Sequence, residues 1–268
     1  MTSRVPTIQL ASVVYGDGVA LDDPAETYHE AAKLYPSSAG ASARGIRLLE
    51  QHPDLQLSVA RAGRRHSQRP RLLLPEPVWP RAELGQALVT RRSRAPAPDS
   101  RLSLVELATL TCALNGCLSH GRRTIPSGGA LYPLELYVFA NRVDGVPASV
   151  HHFDPFGRCL ERLPADPALL TAALVDPALA RAPLVMAIAG VFWRSRFKYG
   201  QRGYRFTLVE AGHAMQNALL TAAALGLAAL PIGGYYDSVV DGILGLNGVD
   251  ESTVYLLAVG RAEPEGTE

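Results

Sequence analysis

The chain has 268 residues, which suits one large domain or one domain with an extension. Hydrophobic residues make up 47% and charged residues 19%, so the composition provides a sizeable core and excludes extensive disorder. The formal net charge of +1 lacks the basic excess that nonspecific nucleic-acid binding needs, and no nucleic-acid partner is predicted.

The cysteines and the apolar runs of the chain indicate where in the cell the protein is expected. The three cysteines, Cys112, Cys117 and Cys159, form neither a disulfide framework nor a zinc-binding pattern, which favours buried thiols in a reducing compartment. The N-terminus lacks the continuous apolar segment of a signal peptide, and the longest apolar run, near 218–231, is too short to span a bilayer. These features predict a soluble cytoplasmic protein with no membrane partner.

Residues 1–80 are predicted to form an N-terminal arm with little regular structure. The stretch "LYPSSAGASARG" is small and polar, and "LLLPEPVWP", which ends at Pro80, carries three prolines. The basic stretch "RAGRRHSQRPR" at 61–71 has no apolar periodicity, and its simplest interpretation is a solvated loop.

From Arg81 onward the pattern becomes that of an α+β domain, expected over 81–262 and followed by a tail at 263–268. A helix is predicted in "AELGQALVTRRS", and a second one follows Ser103, where Glu106 completes a capping box. Strands are predicted in "LELYVFANRV", in "SVHHFDPFGRCLERL", in the apolar run "APLVMAIAGVF" and in the last segment "TVYLLAVGR". The pattern over 207–227 is apolar almost all round, which predicts a buried central helix, and a short helix is expected near 238–246.

Three short motifs carry possible binding chemistry. In "TRRSRAP", guanidinium groups beside a hydroxyl match the oxygens of a phosphate, although cations at a solvated helix end explain the motif equally simply. The glycine pairs of "PSGGALYPLELYV" and "LPIGGYYD" let the backbone approach a flat ligand, or they are ordinary turns.

A polar stripe follows one face of the long helix: Glu210, His213, Asn217 and Thr221. The Glu-x-x-His spacing, repeated at 26–29, occurs in di-iron bundles, but such sites need further glutamates on long facing helices. A satisfied core network of Glu, His and Asn is the preferred interpretation, and no metal site is predicted.

The stretch "RFKYGQRGYRF" places Lys198 directly before Tyr199. A cation beside a phenol favours the phenolate, so the pair is a candidate for proton transfer. Neighbouring residues of a strand point to opposite faces, so a turn near Gly200 and Gly203 would be required for both side chains to face one pocket. One exposed lysine and one packed tyrosine is the alternative.

Taken in order, "RRS", "PSGGALYPLELYV", "KYGQRGYRF", "EAGHAMQNALLTAAALGLAALPIGG" and a last strand ending in "VG" resemble the nitroreductase superfamily. Within it they resemble the SagB-type branch, the azoline oxidases of thiazole- and oxazole-modified peptide pathways. The resemblance covers roughly 81–262, and "YHEAAK" at 28–33 is also similar to that branch. It implies a nitroreductase-like FMN-binding α+β fold, with a mixed, mainly antiparallel sheet flanked by helices around a buried central helix. It also implies a homodimer with one FMN in each of two sites across the dimer interface.

The resemblance implies roles for individual residues. Arg91, Arg92 and Ser93 would hold the phosphate and ribityl chain of FMN, and Arg261 would add to that grip. The family motif usually continues with a further arginine and an aromatic residue, but here Ala95 stands at the arginine position. One phosphate contact is therefore missing or supplied by the neighbouring Arg94.

Other implied residues would surround the flavin ring. Ser127 and Gly128 would lie against the ring from the partner subunit. Pro231, Ile232 and Gly233 would back the ring and approach its N5 edge.

Two further elements complete the implied site. Asn217 would sit near the cofactor on the central helix. Lys198 and Tyr199 coincide with the Lys-Tyr pair that is assigned to proton removal in the azoline oxidases.

The sequence therefore predicts an FMN-dependent dehydrogenase or oxidase that converts thiazolines or oxazolines in a peptide to azoles. The substrate would be an azoline-containing peptide, and the resemblance allows a cyclodehydratase or carrier-protein partner. Two alternatives stay open: an NAD(P)H-dependent nitro or quinone reductase, and a non-catalytic protein that binds peptide or scaffolds a cyclodehydratase. The altered "RRSRAP" motif and the basic segment at 61–71 motivate the second alternative.

Overall fold

The computed structural model describes residues 23–37, 44–61, 63–118 and 122–263. Residues 1–22 of the arm and nearly all of the tail at 263–268 lie outside the described residues. The helices, in chain order, are α1 (Pro24–Ala31), α2 (Arg44–Gln51), α3 (Pro53–Ala60), α4 (Leu84–Thr90), α5 (Leu104–Asn115), α6 (Leu170–Ala173), α7 (Phe192–Tyr199), α8 (Arg202–Ala224) and α9 (Asp237–Leu244). The strands are β1 (Arg71–Leu73), β2 (Leu134–Ala140), β3 (Ser149–Asp154), β4 (Cys159–Arg162), β5 (Leu184–Val191), β6 (Ala228–Ile232) and β7 (Glu251–Gly260).

Within the described residues, the strands form one seven-stranded sheet in the order β1-β4-β3-β2-β5-β7-β6. Every neighbouring pair of strands is antiparallel. Strand β5 lies between β2 and β7, and all of its residues are buried, as its continuous apolar run predicts. The prediction of an α+β fold with a mainly antiparallel sheet is confirmed.

Alternate side chains of β5 enter two different cores. Met186 and Ile188 pack with residues of α5 and α8 on one face of the sheet. Val185 and Ala187 pack with residues of α6 and α9 on the other face. Successive residues of a strand point to opposite faces of the sheet, so both faces are covered by helices. The domain therefore has three layers, with the sheet between two layers of helices.

The capping box predicted at the start of α5 is confirmed. The hydroxyl of Ser103 accepts the backbone N–H of Glu106, and the Glu106 carboxylate accepts the backbone N–H of Ser103 at 2.8 Å. The two contacts satisfy N–H groups that the first helical turn cannot pair, so the local sequence alone defines where α5 begins.

The long helix α8 begins five residues earlier than predicted and ends at Ala224, before Gly226, whose φ is +69°. It is not buried all round within one chain. Ala211, Ala214 and Ala218 face the core, but the side chains of Leu208 and Val209 are exposed. The sheet of one chain covers only one face of this helix. None of the described helices combines the length and apolarity that a membrane span requires.

The segment predicted as an irregular arm is partly regular where it is described. It holds α1, α2 and α3, and Asp23 caps α1 by accepting the backbone N–H of Ala25 at 2.7 Å. Strand β1 pairs with β4 at the edge of the sheet. The sheet thus extends N-terminal of the expected boundary at residue 81.

The basic segment at 61–71 is anchored at two of its residues, while Arg65 and residues 67–71 are exposed. The backbone N–H of Arg64 donates to Glu135 at 2.8 Å, and the backbone N–H of His66 donates to Glu161 at 2.8 Å. Both carboxylates are buried, and the two ring nitrogens of His152 lie 2.9 and 3.2 Å from them. Buried carboxylates need hydrogen-bond donors, and Arg64 and His66 provide them. The segment is therefore anchored to the sheet by polar contacts, which leave no apolar pattern in its sequence.

The buried carboxylate of Glu135 is the centre of this network. It also accepts a hydrogen bond from Arg194, which is 5% exposed. Burial alone would raise its pKa, but the contacts with His152 and Arg194 hold the pKa of Glu135 at about 2. The carboxylate is therefore ionised in the folded protein at any pH near neutrality.

Candidate functional site

A cleft lies where the Arg-Arg-Ser motif meets strand β6. Ser93 forms a parallel β-bridge with Ala229, and the backbone N–H of Arg94 donates to the Ala229 carbonyl at 3.0 Å. Arg92 and Arg94 both line the adjacent cleft of about 480 Å³, together with residues of α8 and β6. We call this cleft the arginine cleft. Arg94 can thus supply the guanidinium that is missing at the neighbouring Ala95.

Arg261 reaches the same end of the sheet. Strand β7 pairs Gly260 with Ala228 of β6, and Ala262 lines the cleft. The guanidinium of Arg261 instead contacts the Glu106 carboxylate, with N···O distances of 2.7 and 2.9 Å. The structure therefore brings the backbone of Arg261 to the predicted site while its side chain binds the carboxylate that caps α5.

Strand β6 connects this cleft with the second glycine pair. Pro231 and Ile232 end the strand, and Gly233 follows it as an exposed residue. No described atom lies within 4 Å of the place where a Cβ on Gly233 would stand. The backbone at Gly233 is therefore uncovered, whereas a Cβ on Gly234 would lie 3.3 Å from Val175.

Lys198 and Tyr199 meet the first glycine pair. Gly129 has a φ of +65°, and a Cβ added there would lie 2.5 Å from the Tyr199 hydroxyl and 2.7 Å from Lys198 Nζ. Glycine favours this contact, because another residue would need a left-handed backbone and would displace the ends of these two side chains. The turn after Ser127 and the Lys-Tyr pair therefore form one cluster, which we call the lysine–tyrosine cluster.

The pair reaches this cluster from a helix end rather than from the expected turn. Helix α7 ends at Tyr199, and Gly200 follows with a φ of +57°. Lys198 Nζ lies 5.3 Å from the centroid of the Tyr199 ring, and the ring of Phe206 packs edge-on against Tyr199 at 4.9 Å. Both side chains are half-buried. The arrangement places a cation beside an aromatic ring that carries a hydroxyl.

Ser127 and Gly128 belong to the same cluster. The Ser127 hydroxyl accepts the backbone N–H of Tyr132 at 2.8 Å, which closes the turn. A Cβ on Gly128 would stand 3.5 Å from the ring of Phe206. The turn is therefore packed against the beginning of α8.

Glu210 is the residue of this region whose role the sequence interpretation missed. It is 3% exposed, and its Oε1 has no hydrogen-bond partner among the described residues. Burial raises the pKa of Glu210 to about 7, against the opposing effects of the Ser127 hydroxyl and the Arg123 guanidinium. The polar stripe was the available signal, but a stripe does not distinguish a paired carboxylate from an unpaired one.

The expected Glu–His–Asn core network does not form. His213 is exposed, and Asn217 donates from its Nδ2 to the carbonyls of Ala113 and Thr124, at 3.3 and 3.1 Å. Asn217 lines another cleft, of about 510 Å³, with Trp79. One helical turn separates the exposed His213 from the buried Glu210, so the two do not share an environment.

The predicted site residues thus form two groups in one chain. Ala223, in the last turn of α8, lines the arginine cleft, and Phe206, in the second turn, packs on the lysine–tyrosine cluster. With a rise of about 1.5 Å per residue, the two groups lie roughly 25 Å apart along the helix. No single subunit brings them together.

Comparisons with known proteins agree with this architecture. A sequence profile described as the nitroreductase family matches residues 63–261. A Methanocaldococcus jannaschii protein named as a nitroreductase, MJ1384, is 36% identical over 183 residues, which cover 67% of this chain and 91% of that protein. The microcin B17-processing protein McbC of Escherichia coli is 34% identical over 146 residues, 52% of this chain and 53% of McbC. The chain thus aligns with about half of the length of McbC.

Solved structures show the same fold. A crystal structure described as a nitroreductase from Ralstonia eutropha matches with a TM-score of 0.64 and 26% identity, and covers 75% of this chain and 93% of that chain. The E. coli microcin synthetase McbBCD complex with truncated pro-MccB17 bound matches with a TM-score of 0.60 and 22% identity, over 92% of this chain and 99% of that chain. At that identity the second likeness concerns the fold alone. Because the family profile spans well over half of its residues, the chain belongs to the nitroreductase family, which indicates an oxidoreductase.

Proposed function

We propose that this protein is an FMN-dependent dehydrogenase that oxidises azolines to azoles in a peptide. The observation that carries the proposal is the close approach of Lys198 and Tyr199 to Gly129, where an added Cβ would lie 2.5 Å from the Tyr199 hydroxyl and 2.7 Å from Lys198 Nζ. It places a phenol and a cation beside a turn that resembles the flavin-contacting turn of the azoline oxidases. The 34% identity with McbC, a microcin-processing protein, supports a role in peptide maturation.

The residues present fit FMN. The arginine cleft offers the guanidinium groups of Arg92 and Arg94 to a phosphate. The backbone at Gly233 leaves room for a flat ring, and the Gly128–Ala130 turn provides a second close approach. We assign the phosphate to Arg92 and Arg94 of this cleft, with Arg91 and Ser93 as the neighbouring contacts that the resemblance implies, and the ring to the two glycine-containing turns.

We further propose that the active form is a homodimer whose sites are shared between subunits. The arginine cleft and the lysine–tyrosine cluster lie roughly 25 Å apart in one chain. One FMN molecule is too short to place its phosphate in the cleft and its ring at the cluster of the same chain. A second copy would bring its lysine–tyrosine cluster to the arginine cleft of the first. The exposed Leu208 and Val209 on α8 supply apolar surface for such an interface.

The chain's own groups perform the proton transfer in this proposal. Tyr199 removes the proton from the azoline ring carbon that carries the peptide carbonyl group, and Lys198 assists as the neighbouring cation. When bound, FMN supplies the two-electron acceptor for the second hydrogen. Both side chains are half-buried in one chain, so the hydroxyl remains accessible to a substrate. We expect a cyclodehydratase to supply the azoline, as the resemblance to the azoline oxidases implies.

Replacing Tyr199 tests the proposal. Tyr199→Phe should keep the yellow flavin spectrum but lose azoline oxidation by at least about a hundredfold, because a general base contributes about 10²–10⁴ in rate. Tyr35→Phe is the matched control, since Tyr35 is exposed and bonds Glu30 in the arm. Wild-type turnover by Tyr199→Phe would show the base assignment to be wrong. A colourless protein that takes up no FMN would instead support the non-catalytic alternative.

Subunit mixing tests the shared site. Arg92→Ala and Tyr199→Phe homodimers should each be inactive, and co-refolded mixtures should recover up to about a quarter of the activity if both residues serve one site from different subunits. Mixtures that stay inactive, although heterodimers are verified by mass spectrometry, would refute the sharing.

The nitroreductase relatives favour a second candidate, NAD(P)H-driven reduction of nitro compounds or quinones. MJ1384 shares 36% identity over 67% of this chain. Rapid bleaching of the flavin absorbance by NAD(P)H, without peptide, would support that candidate over azoline oxidation.

A further inference from the structure

The N-terminal arm packs directly on the helix that carries Lys198 and Tyr199. Helix α2 crosses α7 at Gly45, where an added Cβ would meet the Phe197 carbonyl oxygen and lie 2.8 Å from Lys198 Cα. The two backbones therefore touch at the residue that bears the cation. Leu49, one turn along α2, is 1% exposed, so the contact continues as a buried apolar surface.

Helix α1 contacts the other side of the same junction. The Tyr28 hydroxyl donates to the Gln201 carbonyl at 3.3 Å, and the Tyr28 ring packs edge-on against Tyr204 at 5.3 Å. Arg202 and Arg205, in the first turn of α8, donate to the carbonyls of Ala32 and His29 at 3.3 Å. These contacts come from α1 and the residue after it, and they fall on Gln201 and on the first turn of α8.

The junction between α7 and α8 needs such support. Helix α7 has eight residues, and a helix of that length is marginal without tertiary packing. Gly200 follows it with a φ of +57° and no described atom within 4 Å of a Cβ position, so the linker is not itself locked by packing. The packing of α7 against its neighbours therefore determines the positions of the Lys198 and Tyr199 side chains.

We propose that α1 and α2 act as a brace that positions the Lys-Tyr pair, and that Gly45 is the positioning residue at its contact with α7. The chemical importance of the braced pair rests on the proposed function, whereas the brace itself does not. Misplacing a reacting group by about 1 Å can lower the reaction rate around a hundredfold. A substitution in the arm, outside the proposed cofactor contacts, should therefore lower the rate of the reaction.

Gly45→Ala tests the brace, with Gly242→Ala as the matched control. Both glycines lie in helices, but no described atom is within 4 Å of a Cβ on Gly242. Alanine should strengthen the open helix at Gly242, whereas at Gly45 its methyl group must separate α2 from α7. Hydrogen exchange of the full-length protein, followed peptide by peptide, measures the separation without any substrate.

The expected result for Gly45→Ala is at least tenfold faster exchange in peptides over 192–201, with the sheet peptides unchanged. Activity should fall through kcat, while bound flavin is retained. Tyr28→Phe, which removes only the hydroxyl contact with Gln201, should accelerate exchange at the same junction severalfold, and it serves if Gly45→Ala fails to fold.

The brace is refuted if peptides over 44–51 exchange faster in Gly45→Ala while peptides over 192–201 keep the wild-type rate. If exchange over 192–201 rises but the wild-type protein oxidises no azoline, the brace stands and the proposed function fails.

Discussion

Replacing Glu210 by glutamine should change how the stability of this protein depends on pH. Burial raises the pKa of the Glu210 carboxyl from 4.5 to about 7 in the folded chain. Above pH 4.5 the unfolded chain releases this proton while the folded chain keeps it. The free energy of unfolding therefore decreases as the pH rises from about 4.5 to about 7, and this contribution is constant above that range.

The size of the effect follows from the shift. One pKa unit corresponds to about 1.4 kcal/mol, so integration between pH 5 and pH 8 gives a loss of about 2.5 kcal/mol from this carboxyl. Glutamine has nearly the same shape and does not titrate. Relative to the wild type, Glu210→Gln should therefore gain about 2.5 kcal/mol between pH 5 and pH 8.

Urea unfolding at constant ionic strength, at one-unit steps from pH 5 to pH 8, measures both proteins. The difference between the two curves isolates Glu210, because other titrating groups are common to both. Glu83→Gln, which alters an exposed carboxylate, is the control and should follow the wild type at every pH. Parallel curves for wild type and Glu210→Gln would refute the assignment of a buried, protonated carboxyl beside Ser127.

Two further predictions concern the buried network and the glycine turn. Arg194→Ala leaves a buried carboxylate short of its cation and should cost about 3 kcal/mol in urea unfolding, whereas Arg101→Ala, in an exposed ion pair, should cost less than about 1 kcal/mol; equal costs would contradict the network. Gly129→Ala and Gly145→Ala both force alanine into a positive φ, at about 1 kcal/mol each. Only Gly129→Ala should lower azoline oxidation, by tenfold or more, because Gly145 has open space around its Cβ position. A similar loss of activity in both variants would contradict the specific contact with Tyr199.

The secondary structure was predictable wherever a local pattern specified it. The capping box at Ser103 located the start of α5, and the continuous apolar run identified β5 as a strand inside the sheet. The order of the short motifs alone indicated the family. These signals work because caps and strand burial depend on residues that are close in sequence.

The sequence interpretation failed where polar contacts join distant segments. The segment at 61–71 shows no periodicity, yet Arg64 and His66 bind buried carboxylates of β2 and β4. Glu210 belongs to a polar stripe that predicts a hydrogen-bonded network, but its Oε1 has no hydrogen-bond partner among the described residues. A one-dimensional pattern reports hydrophobicity and does not report which charge faces which.

By itself, the sequence determined the α+β class and the main helices and strands of the domain, and its resemblance to a family suggested the residues of a flavin site. Only the tertiary structure decided that these residues form two groups at opposite ends of α8, that the Lys-Tyr pair ends a helix, and that the arm packs on it. The reason is physical: local propensity and capping depend on neighbours in the chain, whereas the distance between two side chains depends on how rigid helices pack on the sheet.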